Sequence, residues 1–74
     1  MAEVIEIYYD NGQLQSRKTY EDDELNGLYE EWHDNGKLKT RATYKDGKLD
    51  GLAEWWHSDG KPWTKDIYKD GVAD

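Results

Sequence analysis

"WHDNGKLKTRATYKDGKLDGL", residues 32–52, is written again in large part as "WHSDGKPWTKDIYKDG", residues 56–71. The recurrence has a period of 24 residues. Gly12, Gly36 and Gly60 coincide at that spacing, as do Tyr20, Tyr44 and Tyr68, Glu6, Glu30 and Glu54, and the basic set Arg17, Arg41 and Lys65. Residues 27–50 and 51–74 are identical at 13 of 24 positions, and residues 3–26 match 27–50 at 10. Three units, 3–26, 27–50 and 51–74, therefore make up a single repeat domain over residues 1–74. Such units bury apolar surface only against their neighbours.

Within the middle unit, two strand-length runs, 28–33 and 37–44, flank Asp34-Asn35-Gly36. Asn-Gly between runs rich in aromatic and β-branched residues predicts a two-residue hairpin of type I′, with positive φ at both residues. "YDNGQL" and "HSDGKP" repeat the device in the other units. The longer connections, "YEDDELNG" and "YKDGKLDG", carry Gly or Asp where the chain bends again, and a leucine, Leu25 or Leu49, able to fold back over the sheet. Glycines interrupt every stretch long enough for an amphipathic helix. The expected fold is all-β: an antiparallel six-stranded β-meander built from three 24-residue hairpin repeats.

Alternation with period two sorts the side chains by face. Val4, Glu6, Tyr8, Leu28, Glu30, Trp32, Leu52, Glu54 and Trp56 share one face of the first strands. Leu14, Ser16, Tyr20, Leu38, Thr40, Ala42, Tyr44, Pro62, Thr64 and Tyr68 show a similar pattern on the second strands, and both sets are the expected core. Opposite them, Glu31, His33, Lys39, Arg41 and Thr43 predict a wet face in the middle unit. At both ends that second face turns apolar, with Ile5 and Ile7 in the first strand and Trp55, Trp63 and Ile67 in the last unit. These five are candidate partner-binding residues, because tryptophan is enriched where partners dock. The local alternative is that a curling sheet, or Leu25 and Leu49, covers them.

Residues 27–51, "GLYEEWHDNGKLKTRATYKDGKLDG", resemble a variant MORN repeat from end to end, and the resemblance extends over nearly the whole chain. Asp23 stands where that pattern has the glycine of Gly47 or Gly71, and Pro62 where it has Leu14 or Leu38. The resemblance implies an elongated or coiled β-meander that serves binding. In bacteria it implies an antitoxin or immunity protein of the YwqK type, with no catalytic residue carried over.

Charge narrows the partners. A net charge of −7 repels nucleic-acid backbones and anionic membrane surfaces. Residues 3–26 carry −5, residues 27–50 carry 0 and residues 51–74 carry −2. The acidic turn Glu21, Asp22, Asp23 and Glu24 is thus a candidate for steering a basic protein, a basic toxin among them. The alternative is a solvated surface that keeps the chain in solution. The chain has no cysteine, no apolar leader and no bilayer-length apolar run, which reads as a cytoplasmic protein.

A search for chemistry leaves little. His33 and His57 have no dependable third metal ligand. "EDDE" lacks the spacing of a calcium loop. Glu6, Glu30 and Glu54 recur in every unit, as a structural device does and an active site does not. The expectation is a non-enzymatic protein-binding module without cofactor or metal. The alternative is a scaffold or self-associating repeat array, its homo-oligomer formed through a sheet edge or the C-terminal Trp face. Of the two edges, residues 4–9 carry only Glu6 as a charge and invite pairing. Pro62, Lys65, Asp66 and Lys69 are expected to protect the other.

Overall fold

Two kinds of turn, each set by a residue able to take positive φ, fold this chain. The structure, a computed structural model, describes residues 2–73. At Asp10-Asn11-Gly12 only the glycine has positive φ, at 88°; Tyr9 N–H donates to Gln13 O at 2.8 Å and Gly12 N–H to Tyr9 O at 3.0 Å. The same pair of bonds closes the turns at Gly36 and Gly60. These are three-residue loops, a type I turn closed by a left-handed glycine, and not the expected two-residue type I′ hairpins. Positive φ at both central residues occurs instead at Asp22-Asp23, Asp46-Gly47 and Asp70-Gly71, so the connections read as long are the tight ones.

Seven strands follow: β1 Ala2–Tyr8, β2 Leu14–Glu21, β3 Glu24–Trp32, β4 Leu38–Lys45, β5 Lys48–Trp56, β6 Pro62–Lys69 and β7 Val72–Ala73. They form one antiparallel meander in chain order, without helix among the described residues. The seventh strand, beyond the six expected, is a two-residue start that repeats the openings of β3 and β5. Leu25 and Leu49 do not fold over the sheet. They lie within β3 and β5, opposite Tyr20 and Tyr44.

The sheet measures 33 × 29 × 10 Å, one layer thick. With no second layer, the expected core residues Val4, Tyr8, Leu28 and Leu52 remain 57%, 56%, 42% and 45% exposed. Among the described residues, only side chains shorter than, or gripped by, their in-plane neighbours are buried: Ser16, Thr40, Ala42, Ala53 and Glu30.

Register also corrects the faces. Directly paired residues of antiparallel strands share a face, and Glu30 pairs with Arg41 and Leu28 with Thr43, while Thr40 pairs with Glu31 and Ala42 with Tyr29. Arg41 and Thr43 therefore lie with Leu28 and Glu30, and Thr40, Ala42 and Tyr44 with Tyr29 and Glu31. Alternation alone gives each strand two faces but not which face of one strand joins which of the next. A bulge near each three-residue loop, at Ile7/Tyr8, Glu31/Trp32 and Trp55/Trp56, shifts the count by a residue, and the register is irregular again between units at Lys18/Tyr20 and Ala42/Tyr44.

Asp23 has φ 67° where the equivalent turns use Gly47 and Gly71. A side chain in the left-handed region is strained, and the flanking acids Glu21, Asp22 and Glu24 repel it. Asp23→Gly is expected to stabilise the fold by about 0.5–1 kcal/mol. An unchanged or lowered melting temperature would show that the turn carries no strain.

Candidate protein-interaction surface

Each face of the sheet is a set of rows that run across the strands. On the first face, strand register lines up Glu6, Arg17, Glu30, Arg41, Glu54 and Lys65, one per strand from β1 to β6. The signs alternate without a break. Arg17 Nε lies 2.9 Å from Glu6 Oε2, and Glu30 is shared, with Arg17 Nη1 at 3.8 Å and Arg41 Nε at 3.5 Å. The Arg17 guanidinium also sits 5.7 Å from the centroid of Trp32. Glu30 tolerates being 6% exposed because two guanidiniums answer its charge. Beside this row lie the pairs Val4–Thr19, Leu28–Thr43 and Leu52–Ile67, of which Val4, Leu28, Leu52 and Ile67 are the exposed apolar members.

The second face carries the row Ile7, Ser16, Glu31, Thr40, Trp55, Thr64, and next to it Ile5, Lys18, Tyr29, Ala42, Ala53, Asp66. Tall rings stand over the short side chains here. Tyr29 and Tyr44 meet at 5.5 Å between centroids, Trp55 and Tyr68 at 6.5 Å, and Lys18 Nζ lies 5.5 Å above Tyr29. Burial first, then the negative charge of Glu31, pushes the Tyr29 hydroxyl up from its usual 10.0 to about 12. Tyr44 is raised for the same two reasons.

Of the residues expected to bind, Ile5, Ile7 and Trp55 do share this second face. They do not form one patch, since β1 and β5 are four strand spacings, about 19 Å, apart. Ile67 lies on the opposite face, paired with Leu52. Trp63 is the extra residue of the last bulge, 65% exposed, with one ring side stacked on His57 at 5.5 Å. Trp55 and Trp63 come together with Thr64, Asp66 and Tyr68 around an open cleft of about 250 Å³. The acidic turn contributes too: Asp22 and Asp23 line a concavity with Glu3, Ile5 and Tyr20. Glu21 and Glu24 flank it as a pair at the ends of β2 and β3.

Asp66, read from sequence as edge protection, and Tyr68, Leu28 and Leu52, read as core, were not among the binding candidates, although Leu28 and Leu52 are exposed beside Ile67. The signal was present, since Asp66 replaces Ala42 and Lys18 of the other units just where Trp55 and Trp63 also depart. The histidines have structural uses. His33 Nε2 is 3.1 Å from Trp56 O, and His57 stacks on Trp63. Among the described residues no group of three or more His, Cys, Asp or Glu is placed to hold a metal ion.

A family model described as MORN repeat variant matches residues 4–22, 25–46 and 49–70, one match per unit. No curated protein and no solved structure matches the chain.

Two measurements test this surface. Glu30→Gln removes the shared charge between Arg17 and Arg41 and is expected to destabilise the fold by about 1–3 kcal/mol, with Glu6→Gln well below that because the Glu6–Arg17 pair is solvent-screened. Equal losses in chemical denaturation would remove Glu30 from its central place. The second follows from Tyr29, whose folded hydroxyl holds its proton more tightly than the unfolded one. Its contribution is therefore complete below pH about 10 and is lost as pH rises through about 12. Ultraviolet titration should show a late-ionising tyrosine that Tyr29→Phe abolishes. A Tyr29→Phe profile identical to the parent's would refute the assignment.

Proposed function

Because the chain belongs to the MORN repeat variant family, whose repeats are protein-binding and scaffold-like modules, we propose that it is a non-enzymatic protein-binding module, most specifically an antitoxin or immunity protein that neutralises a basic toxin by direct contact. The observation that carries this reading is the missing second layer. Leu28, Leu52, Ile67 and Trp63 are 42%, 45%, 58% and 65% exposed on a chain of net charge −7. Open apolar surface of this kind, rimmed by charge, belongs to interfaces.

The chemistry of the surface favours a basic partner. The concavity of Glu3, Asp22 and Asp23 is acidic, and the cleft of Trp55, Trp63 and Tyr68 carries one carboxylate, Asp66. An arginine or lysine of the partner would find ring faces and a counter-charge there together. Glu6 and Glu30 of the repeated glutamates are held in ion pairs with Arg17 and Arg41, which supports a structural role for that row over a catalytic one. A cytoplasmic site of action is part of this proposal, in keeping with a cysteine-free chain. No helix among the described residues is long and apolar enough to cross a membrane. The scaffold reading also has support, because among the described residues β1 pairs only with β2 and β7 covers only Tyr68 and Lys69 of β6.

The test is co-expression with the product of the adjacent reading frame. Growth is expected to recover when a toxic, basic product is paired with this chain, and to fail again with Trp55→Ser plus Trp63→Ser at unchanged circular dichroism. Replacing Glu21, Asp22, Asp23 and Glu24 by serine should slow association several-fold at low salt and little at high salt. Rescue that survives the double tryptophan variant, or an on-rate indifferent to salt, would overturn the assigned surface. A neighbour that is neither toxic nor bound would overturn the antitoxin role.

A further inference from the structure

The seams between repeats inside this sheet are built twice to one plan. Where β2 meets β3, Ser16 pairs with Glu31, Arg17 with Glu30 and Lys18 with Tyr29. Where β4 meets β5, Thr40 pairs with Trp55, Arg41 with Glu54 and Ala42 with Ala53. The third unit offers the same outer edge on β6, at Thr64, Lys65 and Asp66. Among the described residues β7 covers only Tyr68 and Lys69 of that strand. The outer edge of β1 carries Ile5, Glu6 and Ile7, which stand one period before Tyr29, Glu30 and Glu31.

We propose that a second copy of this chain docks its β1 on β6, head to tail, so that the alternating charge row runs on unbroken from Lys65 to Glu6 of the second copy. Continuing the seam sets Lys65 against Glu6, Thr64 against Ile7 and Asp66 against Ile5 of that copy. The row ends on a cation at one edge and begins on an anion at the other, so each edge carries the charge that the other lacks. Apolar neighbours agree in part: Val4 of the second copy comes beside Ile67, and its Ile7 extends the row that holds Trp55. Ile5 opposite Asp66 is the one mismatched pair. This contact requires no foreign partner and goes beyond the binding role proposed above.

Two features that read as edge protection do not oppose this contact. Pro62 has no N–H to give, but its counterpart Leu38 pairs only with β3, and the β4–β5 register begins at Thr40. Pro62 lies outside the seam. Lys65 deters pairing with a random strand, yet it matches the strand that carries Glu6. The weak point is the turn beside the seam. Asn11 Nδ2 donates to Asp34 O at 2.9 Å and Asn35 Nδ2 to Ser58 O at 2.7 Å, each binding the next unit's turn. Asp59 occupies the third position and has no N–H to offer, so this contact is looser than the internal seams. Such a head-to-tail interface is heterologous and grows rather than closing at two copies unless the sheet curls into a ring.

Sedimentation equilibrium from micromolar to millimolar concentration, at about 0.15 M salt to screen the repulsion between acidic chains, is the test. The mass of the wild type is expected to rise with concentration. Lys65→Glu and Glu6→Lys alone should each remain monomeric at least tenfold higher in concentration, and an equimolar mixture of the two should recover assembly, because each then presents the sign the other needs. Asp59→Asn leaves both charges in place and supplies the missing donor; it should tighten association by about 2- to 10-fold. A wild type that stays monomeric throughout, charge variants that assemble like the parent, a mixture that does not recover, or an Asp59→Asn variant no tighter than wild type would each overturn the proposal. If a charge variant is unfolded by circular dichroism, the Asp59→Asn shift decides alone.

Discussion

A carboxylate taken out of water must be answered by positive charge, and Glu30 is answered from both sides, by Arg17 and Arg41. In a sheet one layer thick this in-plane neutralisation replaces much of what a second layer would provide. Broad sheets without a covering layer are unusual and depend on ladders of side chains. Here the ladder is the row from Glu6 to Lys65, in which every inner member has an opposite charge on each side. Because Glu30 is its most buried member, the exposed arginines take their positions from Glu30. Those arginines in turn fix which residues of β2 and β4 face which residues of β3. Register throughout the sheet is tied to this alternation, since a one-residue slip would put Arg17 and Arg41 on the other face.

The repeat and its strand count per unit were legible in the sequence because the period is marked by residues that cannot be exchanged freely, Gly36 and Gly60 among them. The turn types were not. Asn-Gly and Asp-Gly both satisfy the rule for a type I′ hairpin, yet the chain uses Asp46-Gly47 and Asp70-Gly71 that way and Asp59-Gly60 as part of a three-residue loop. Asn11 and Asn35 keep negative φ so that Oδ1 can accept from Gln13 and Lys37 within the turn while Nδ2 reaches the next one. That second bond joins residues 23 apart, and no local rule could weigh it. The faces failed for a related reason: alternation is a property of one strand, whereas a face is a property of their pairing. The sequence pattern also presumes that apolar residues are covered, and Val4, Leu28 and Leu52 are apolar without being covered.

The candidate site was legible where a unit departs from its siblings. Trp55 and Trp63 stand at positions held by Glu31 and Lys39 in the middle unit, and the structure brings them to one cleft with Asp66. Ile67 shows the limit of that logic, since it departs from Thr43 equally but lies on the other face. A repeat gives every position an internal control, yet the control reports only that a position differs, not toward what it points. The shared acidic concavity under Asp22 and Asp23 likewise needed the register of β1 to bring Glu3 and Ile5 beside the turn.

What the units share and what they vary therefore serve separate ends. The glutamate–arginine row, the left-handed glycines and the tyrosines at Tyr20, Tyr44 and Tyr68 are held from unit to unit because each must mate with the next; any change propagates across a seam. Among the described residues, Trp63 and Asp66 of β6 meet only β5, so that constraint is seen to bear on them from one side. The same one-sidedness explains Asp59, which can lose the amide of Asn11 and Asn35 without breaking any bond inside the chain.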